Sequence, residues 1–270
     1  MNRRTLYGIL GVVCVGVLLI VARPPRRPMS RAGALTTVRG QLRSAGLADQ
    51  SHITLNTDSS VAVDMEAHSR IAHLTQGEAI FRVNSKDPRP FQLYCDDIVV
   101  SAPDDTVAST QDVVFSARKL HHNALLVQVL SGSVFARERV LRTLEQPFQL
   151  EMHLGAGKGY DIDTGTLNIR PFPPASADCA WAWERGELCL DDEPLPEALQ
   201  EINRYTSRPV VMSDPSLATY RVGGTFRIAT LLPDFAEALQ STFGIRAVTR
   251  DDKIFLLPPT EAAAKSTPMT

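Results

Sequence analysis

The sequence has almost no surplus of charge of either sign: 28 Lys and Arg stand against 30 Asp and Glu, a formal net charge of −2 over 270 residues. A phosphate backbone is neutralised by clustered cations, so this balance excludes nucleic acid as a partner. Metal-ligand spacing is absent too. His52, His68, His73, His121, His122 and His153 never fall where two imidazoles and a third ligand could share an ion, and no C-x-x-C or H-E-x-x-H occurs. The run Gly155-Ala156-Gly157-Lys158-Gly159 lacks the residues of a phosphate loop, because Met152 replaces the first glycine and Gly159 the hydroxyl residue after Lys158. It reads as a turn between strands. Acid pairs at Asp96-Asp97, Asp104-Asp105, Asp191-Asp192 and Asp251-Asp252 sit at turns or strand ends and read as solvated turn residues. No G-x-S-x-G elbow is present. These absences predict no cofactor, no metal, no catalytic residue, and a chain that is not an enzyme.

Long apolar runs are also missing, with one exception. Thr5 to Ala22 is uncharged and rich in Leu, Val and Ile, about 18 residues and so close to the shortest helix that crosses a bilayer core. It predicts a transmembrane helix over residues 5–22 after a stub of residues 1–4. A cleaved signal peptide is the alternative: Arg3 and Arg4 fit its basic end and Ala22 its small residue, but Pro24 and Pro25 follow directly. Orientation stays open on charge alone, since Arg23, Arg26, Arg27 and Arg31 lie beyond the span. Residues 23–34 turn to Arg, Pro and Ser and read as an extended linker.

Helical periodicity is lacking from residues 35–170. Apolar residues instead recur at alternate positions, as in Ile53-Leu55, Val61-Val63-Met65, Phe91-Leu93 and Ile98-Val100, with turn residues between the runs. This predicts a mainly β chain whose first domain is all-β, a solenoid- or sandwich-like set of antiparallel strands. Pro171 to Ala182 reads as a Pro-rich linker. Residues 183–258 then mix periods into a β-α-β-β-α-β-β order, a small α+β domain, with Leu195, Ala198, Leu199 and Ile202 on one helix face. Residues 259–270 read as a disordered tail. Cys14 lies in the span and Cys95 in a strand, while Cys179 and Cys189 can bridge in an oxidising compartment or remain two buried thiols.

Two linked patterns carry a resemblance. Asp49-Gln50-Ser51 leads to Leu55-Asn56-Thr57-Asp58-Ser59, and Arg70-Ile71-Ala72-His73-Leu74-Thr75-Gln76-Gly77-Glu78-Ala79-Ile80-Phe81-Arg82-Val83 follows. Gly77 permits a tight turn between strands, with Leu74, Ile80 and Val83 expected to point inward around it. This resembles the FecR domain, whose pattern runs D-G-S, L-N-x-x-S, then R-x-v-x-L-x-x-G-E-A-x-F-x-V. Trp183-Glu184-Arg185-Gly186-Glu187-Leu188, Asn203-Arg204-Tyr205 and Val222-Gly223-Gly224-Thr225-Phe226 are similar to the same family's C-terminal part, a unit like the secretin and TonB short N-terminal domain. The resemblance implies structural roles for Asn56, Gly77, Glu78, Phe81, Trp183, Gly186, Arg204, Tyr205 and Gly224.

The resemblance also implies a membrane-anchored signalling protein with its bulk in the periplasm, single-pass in the inner membrane. Its partners would be the signalling domain of a TonB-dependent outer-membrane receptor and a sigma factor or separate cytoplasmic regulator. Docking by strand addition is expected at Tyr220, Val222, Thr225 and Phe226 or at Ile254 and Leu256. Three departures bear on this. Gln50 replaces the turn glycine. The G-T-x-F step at which some members cleave themselves is missing after Val99-Val100, so cleavage there is not expected. The four residues before the span replace the family's sigma-binding segment. That last departure keeps a periplasmic scaffold or envelope-assembly role as the alternative.

Overall fold

The computed structural model describes residues 34–102, 112–120, 124–138, 151–163, 168–172 and 177–259. The expected stub, span and most of the linker, the segment 103–111 that holds the expected uncleaved step, and the tail from residue 260 lie outside them. Among the described residues no helix is long and apolar enough to cross a membrane.

Alternating side chains build two seven-stranded sheets that pack face to face. One runs in the order β1 (Ala34–Thr36), β4 (Ser60–Met65), β5 (Arg70–Gln76), β7 (Phe91–Cys95), β8 (Ile98–Ala102), β11 (Ser133–Glu138), β12 (Glu151–Gly155). The other runs β14 (Ile169–Phe172), β13 (Lys158–Asp163), β10 (Ala124–Ser131), β9 (Val113–Lys119), β6 (Glu78–Val83), β3 (His52–Leu55), β2 (Arg43–Gly46). Of the two shapes expected for this domain, the sandwich is the one formed. Side chains from both inner faces share one apolar core, as period-two strands require when each sheet buries one face. Phe81 sits at its centre with ring centroids 5.9 Å from Phe91 and 5.1 Å from Phe115.

Three expectations need correction. The strands are not all antiparallel: β5 and β7 run parallel, Arg70 opposite Phe91 and His73 opposite Tyr94. The cause is the path of the chain, which crosses to the other sheet as β6 and returns in its original direction. Ile80 does not face the sandwich core; Ala79, Phe81 and Val83 do, and strict alternation turns Ile80 to the other side. Pro171 is not linker either. It pairs with Tyr160 in β14, an edge strand where a residue without an N–H is tolerated.

The C-terminal unit has the expected β-α-β-β-α-β-β order: β15 (Glu187–Pro194), α2 (Leu195–Tyr205), β16 (Val210–Met212), β17 (Arg221–Arg227), α3 (Leu231–Phe243), β18 (Arg246–Arg250) and β19 (Lys253–Leu257). A short helix α1 (Ala177–Ala180) and a 3-10 turn over Ala182–Arg185 precede it. Pro196 lies in the first turn of α2, where a missing N–H costs nothing, and Leu195, Ala198, Leu199 and Ile202 are all buried. β15 pairs with β17 alone, and β16, β19 and β18 form a three-stranded sheet. Cys179 and Cys189 are joined as a disulfide with Cα atoms 5.0 Å apart, the first of the two states the sequence allowed.

Candidate functional site

The turn between β5 and β6 needs glycine. Gly77 has φ +76°, and a Cβ there would stand 2.6 Å from the Asp58 carbonyl oxygen and collide with the Ser59 hydroxyl. That hydroxyl is already committed: it accepts the Glu78 N–H at 2.9 Å and donates to the Thr57 carbonyl at 2.9 Å. The L-N-x-x-S and G-E segments, 18 residues apart from Ser59 to Gly77 in sequence, are thus two halves of one knot.

Asn56 completes the knot and reaches beyond it. Fully buried, it accepts the Thr57 N–H at 2.7 Å and donates to Glu78 Oε2 and to the Tyr205 hydroxyl, both at 2.9 Å. Tyr205 belongs to α2, so the sandwich and the C-terminal unit join here. Burial pushes the Tyr205 phenol up to about 12.

The outer face of β6 supplies the rest. Because Ala79, Phe81 and Val83 point inward, Glu78, Ile80 and Arg82 point to the C-terminal unit. Ile80 enters the second core, joined there by Leu42 and Val114 of the sandwich. Around it lie three charged anchors. Arg204 Nη2 meets Glu78 Oε2 at 2.6 Å, and Arg204 Nη1 meets Glu201 Oε2 at 2.9 Å one turn back on α2. Glu201 Oε1 takes Arg118 Nη2 of β9 at 2.7 Å. Arg82 forms a two-pronged pair with Glu184 of the 3-10 turn, both contacts at 2.6 Å. Planar guanidinium–carboxylate pairs of this kind fix direction as well as distance.

Electrostatics follow from the alternation of sign. Burial alone raises the Glu201 carboxyl, but the Arg118 and Arg204 guanidiniums more than reverse it and hold it below the ordinary carboxylate range. Burial lowers Arg204, and Glu78 and Glu201 overcome that and raise it. Backbone contacts reinforce the seam: the Thr57 hydroxyl donates to the Arg204 carbonyl at 2.9 Å and accepts the Gly40 N–H at 2.7 Å. Each of the charged side chains named at this junction is held in an ion pair. What it does is hold one unit at a set angle to the other.

A second buried pair lies inside the sandwich. Arg70 and Asp49 have fully buried side chains 2.7 Å apart. Arg70 also donates to the carbonyls of Arg89 at 2.9 Å and Asn84 at 3.0 Å. Asp49 accepts the N–H of Ser51 at 3.0 Å and its hydroxyl at 2.6 Å. Burial raises the Asp49 carboxyl, and Ser51 and Arg70 bring it below its usual value. The D-x-S turn is therefore a clamp on Arg70, and Gln50 between them is held at φ +70°.

The remaining motif residues have separate duties. Trp183 is buried in the second core, and among the described residues its indole N–H has no partner. Gly186 ends the 3-10 turn by donating to the Trp183 carbonyl at 2.9 Å. Gly224 pairs with Leu190, next to the register shift between β15 and β17. Of the expected docking residues, Ile254 and Leu256 are corrected: β19 is the central strand of its sheet, bonded to β16 and β18, and both side chains turn to the core. The side chains of Val222 and Phe226 are buried as well, while Thr225 is exposed and Tyr220 packs on Phe243. Sequence reasoning missed Arg82, Arg118, Glu184 and Glu201. The spacing of Glu201 and Arg204 on one helix turn was the only local signal for any of them.

Residues 34–135 match the family described as FecR protein. That match takes in Asn56, Gly77, Glu78 and Phe81 and ends before the C-terminal unit. Two crystal structures described as a candidate anti-sigma factor from Parabacteroides distasonis ATCC 8503 share the fold. One has a TM-score of 0.63 at 18% identity, covering 84% of this chain and 100% of that one. The other has 0.62 at 18% identity, covering 84% and 99%. No curated protein matches this chain.

Proposed function

From a FecR domain over residues 34–135, we propose that this chain is a membrane-anchored regulator and not an enzyme, with its bulk in the periplasm, receiving a signal by protein contact. The anchor is the apolar run of residues 5–22. The signal comes from the signalling domain of a TonB-dependent outer-membrane receptor, and the output goes to a sigma factor or a separate cytoplasmic regulator.

One observation carries this reading. β17 is bonded along one side only, to β15, so among the described residues its other edge offers unpaired backbone groups. Gly223 and Gly224 leave the middle of that strand bare of side chains, which lets a partner strand approach closely. The locked junction then makes a contact at β17 act on the sandwich as on one piece.

Hydrogen exchange on the full chain, with and without the receptor's signalling domain, tests the edge directly. Strand addition protects the amides of Arg221 to Arg227 on binding. Binding without that protection moves the docking site elsewhere, and absence of binding by folded protein refutes the receptor as partner.

A further inference from the structure

β18 and β19 form a hairpin over Asp251 and Asp252, with Arg250 opposite Lys253, Val248 opposite Phe255 and Arg246 opposite Leu257. A two-residue turn makes its closing pair a hydrogen-bonded one, and along an antiparallel ladder such pairs alternate with non-bonded ones. Arg250, Val248 and Arg246 therefore direct their backbone groups to β19. Ala247 and Thr249 turn theirs to the other side of β18, which is a free edge because the sheet order is β16-β19-β18. Among the described residues no backbone group bonds them there.

The opposite edge of the same sheet is closed. Asn203 of α2 covers β16 at Val210: its Nδ2 donates to the Val210 carbonyl at 2.9 Å and its Oδ1 accepts the Val210 N–H at 2.7 Å. A side-chain amide there takes the place of another strand. Beside β18, by contrast, lies a groove of about 330 Å³, lined by Ala247 and by Ala236, Glu237, Gln240 and Ser241 of α3. Leu256, opposite Ala247, is buried in the core, whereas Glu237, Gln240 and Ser241 are exposed. The groove thus opens at the free edge and not toward β19.

We infer that the β18 edge and this groove dock an extended protein segment carrying a lysine or arginine. Outward N–H and C=O groups on alternate residues are the complement of another extended backbone. On the added strand every second side chain enters the groove under α3. The floor there is the methyl groups of Ala236 and Ala247, and the one charge in the lining is Glu237, which among the described residues has no ion pair. α3 contains no basic residue. A long basic side chain lays its apolar stem on the alanines and brings its cation to Glu237. A carboxylate in the same place meets a like charge. Arg246 and Arg250 alternate with Ala247 and so lie on the other face of the sheet, outside the groove lining. A second copy of this chain fits less well: paired antiparallel about Val248, it sets Arg246 of one copy opposite Arg250 of the other, and like charges directly opposite oppose the pairing. β17 belongs to a different sheet, so this site stands whatever docks there.

The probe is a short labelled peptide of alternating threonine and valine with one central lysine, titrated by fluorescence anisotropy with the full chain in detergent. Binding is expected, with hydrogen exchange slowed at the amides of Ala247 and Thr249. Replacing the lysine by glutamate weakens binding about tenfold, and N-methylation of alternate peptide amides on the side that faces β18 abolishes it. Glu237→Lys, at an exposed helix position where the two residues have similar helix propensity, reverses the preference between the lysine and glutamate peptides. Thermal unfolding of that variant matches the parent. Absence of binding, equal binding of the two peptides, or protection at Arg221 to Arg227 in place of Ala247 and Thr249 overturns the inference.

Discussion

The two sides of β6 solve different problems with adjacent residues. Toward the sandwich, Ala79, Phe81 and Val83 fill volume in an apolar core. Toward the C-terminal unit, Glu78 and Arg82 flank Ile80 with ion pairs to Arg204 and Glu184. Apolar packing is strong but nearly indifferent to direction, so it holds a layer without setting an angle. Paired guanidinium and carboxylate groups contribute less net stability and specify orientation. The sandwich is therefore held by volume and the junction by geometry, and substitutions on the two sides should fail in different ways.

The largest effect is expected on the packed side. Phe81→Ala removes a ring wedged between two others and should cost about 4 kcal/mol, read as a loss of cooperative unfolding stability across the whole protein. Arg204→Ala leaves Glu78 with no ion-pair partner and Glu201 with Arg118 alone, and should cost about 3 kcal/mol. Its signature differs: hydrogen exchange should rise along α2 and at the junction while the sandwich core stays protected. Uniform loss of protection in both variants would erase the distinction between the two sides.

Acid should weaken the junction in its own way. The folded-state carboxyl of Glu201 is lowered, so its contribution is present above the unfolded carboxylate range and is lost as pH falls through the folded value. Asp49 acts in the same direction from inside the sandwich. A melting temperature that drops below about pH 4.5 in the parent, and drops less in Glu201→Gln, is the expected pattern. Identical pH profiles would show that the junction does not titrate with folding.

The smallest expected effect is a gain. Gln50 holds φ +70° in a turn whose neighbours Asp49 and Ser51 bind Arg70. A Cβ is strained there by about 1 kcal/mol relative to glycine. Gln50→Gly should raise the denaturation midpoint slightly and leave the slope of the transition unchanged. A fall in the midpoint would mean that the Gln50 side chain contributes something its exposed position does not reveal.

Much of the architecture was legible because it rests on local rules. Period-two alternation marked the strands of the sandwich, and the spacing of Leu195, Ala198, Leu199 and Ile202 marked α2. The motif residues Asn56, Glu78, Arg204 and Tyr205 were singled out by resemblance, each within its own segment. Their meeting was not legible. Asn56 and Tyr205 are 149 positions apart, and no local pattern says which strand face a distant helix will cover. Ile80 shows the limit best: its hydrophobicity placed it inside, and only the second unit on the other face makes that inside a different core.

The sequence by itself determined the element types, the seven-element order of the C-terminal unit and the need for glycine at position 77, because these depend on backbone sterics and side-chain period over a few residues. Tertiary structure alone decided that β5 and β7 run parallel, that β19 is central and not an edge, and that four charged side chains from α2 and two sandwich strands form one chain of ion pairs. Those outcomes depend on how faces are paired across the molecule. A side chain's chemistry specifies what it can bind, and only the fold decides what stands opposite.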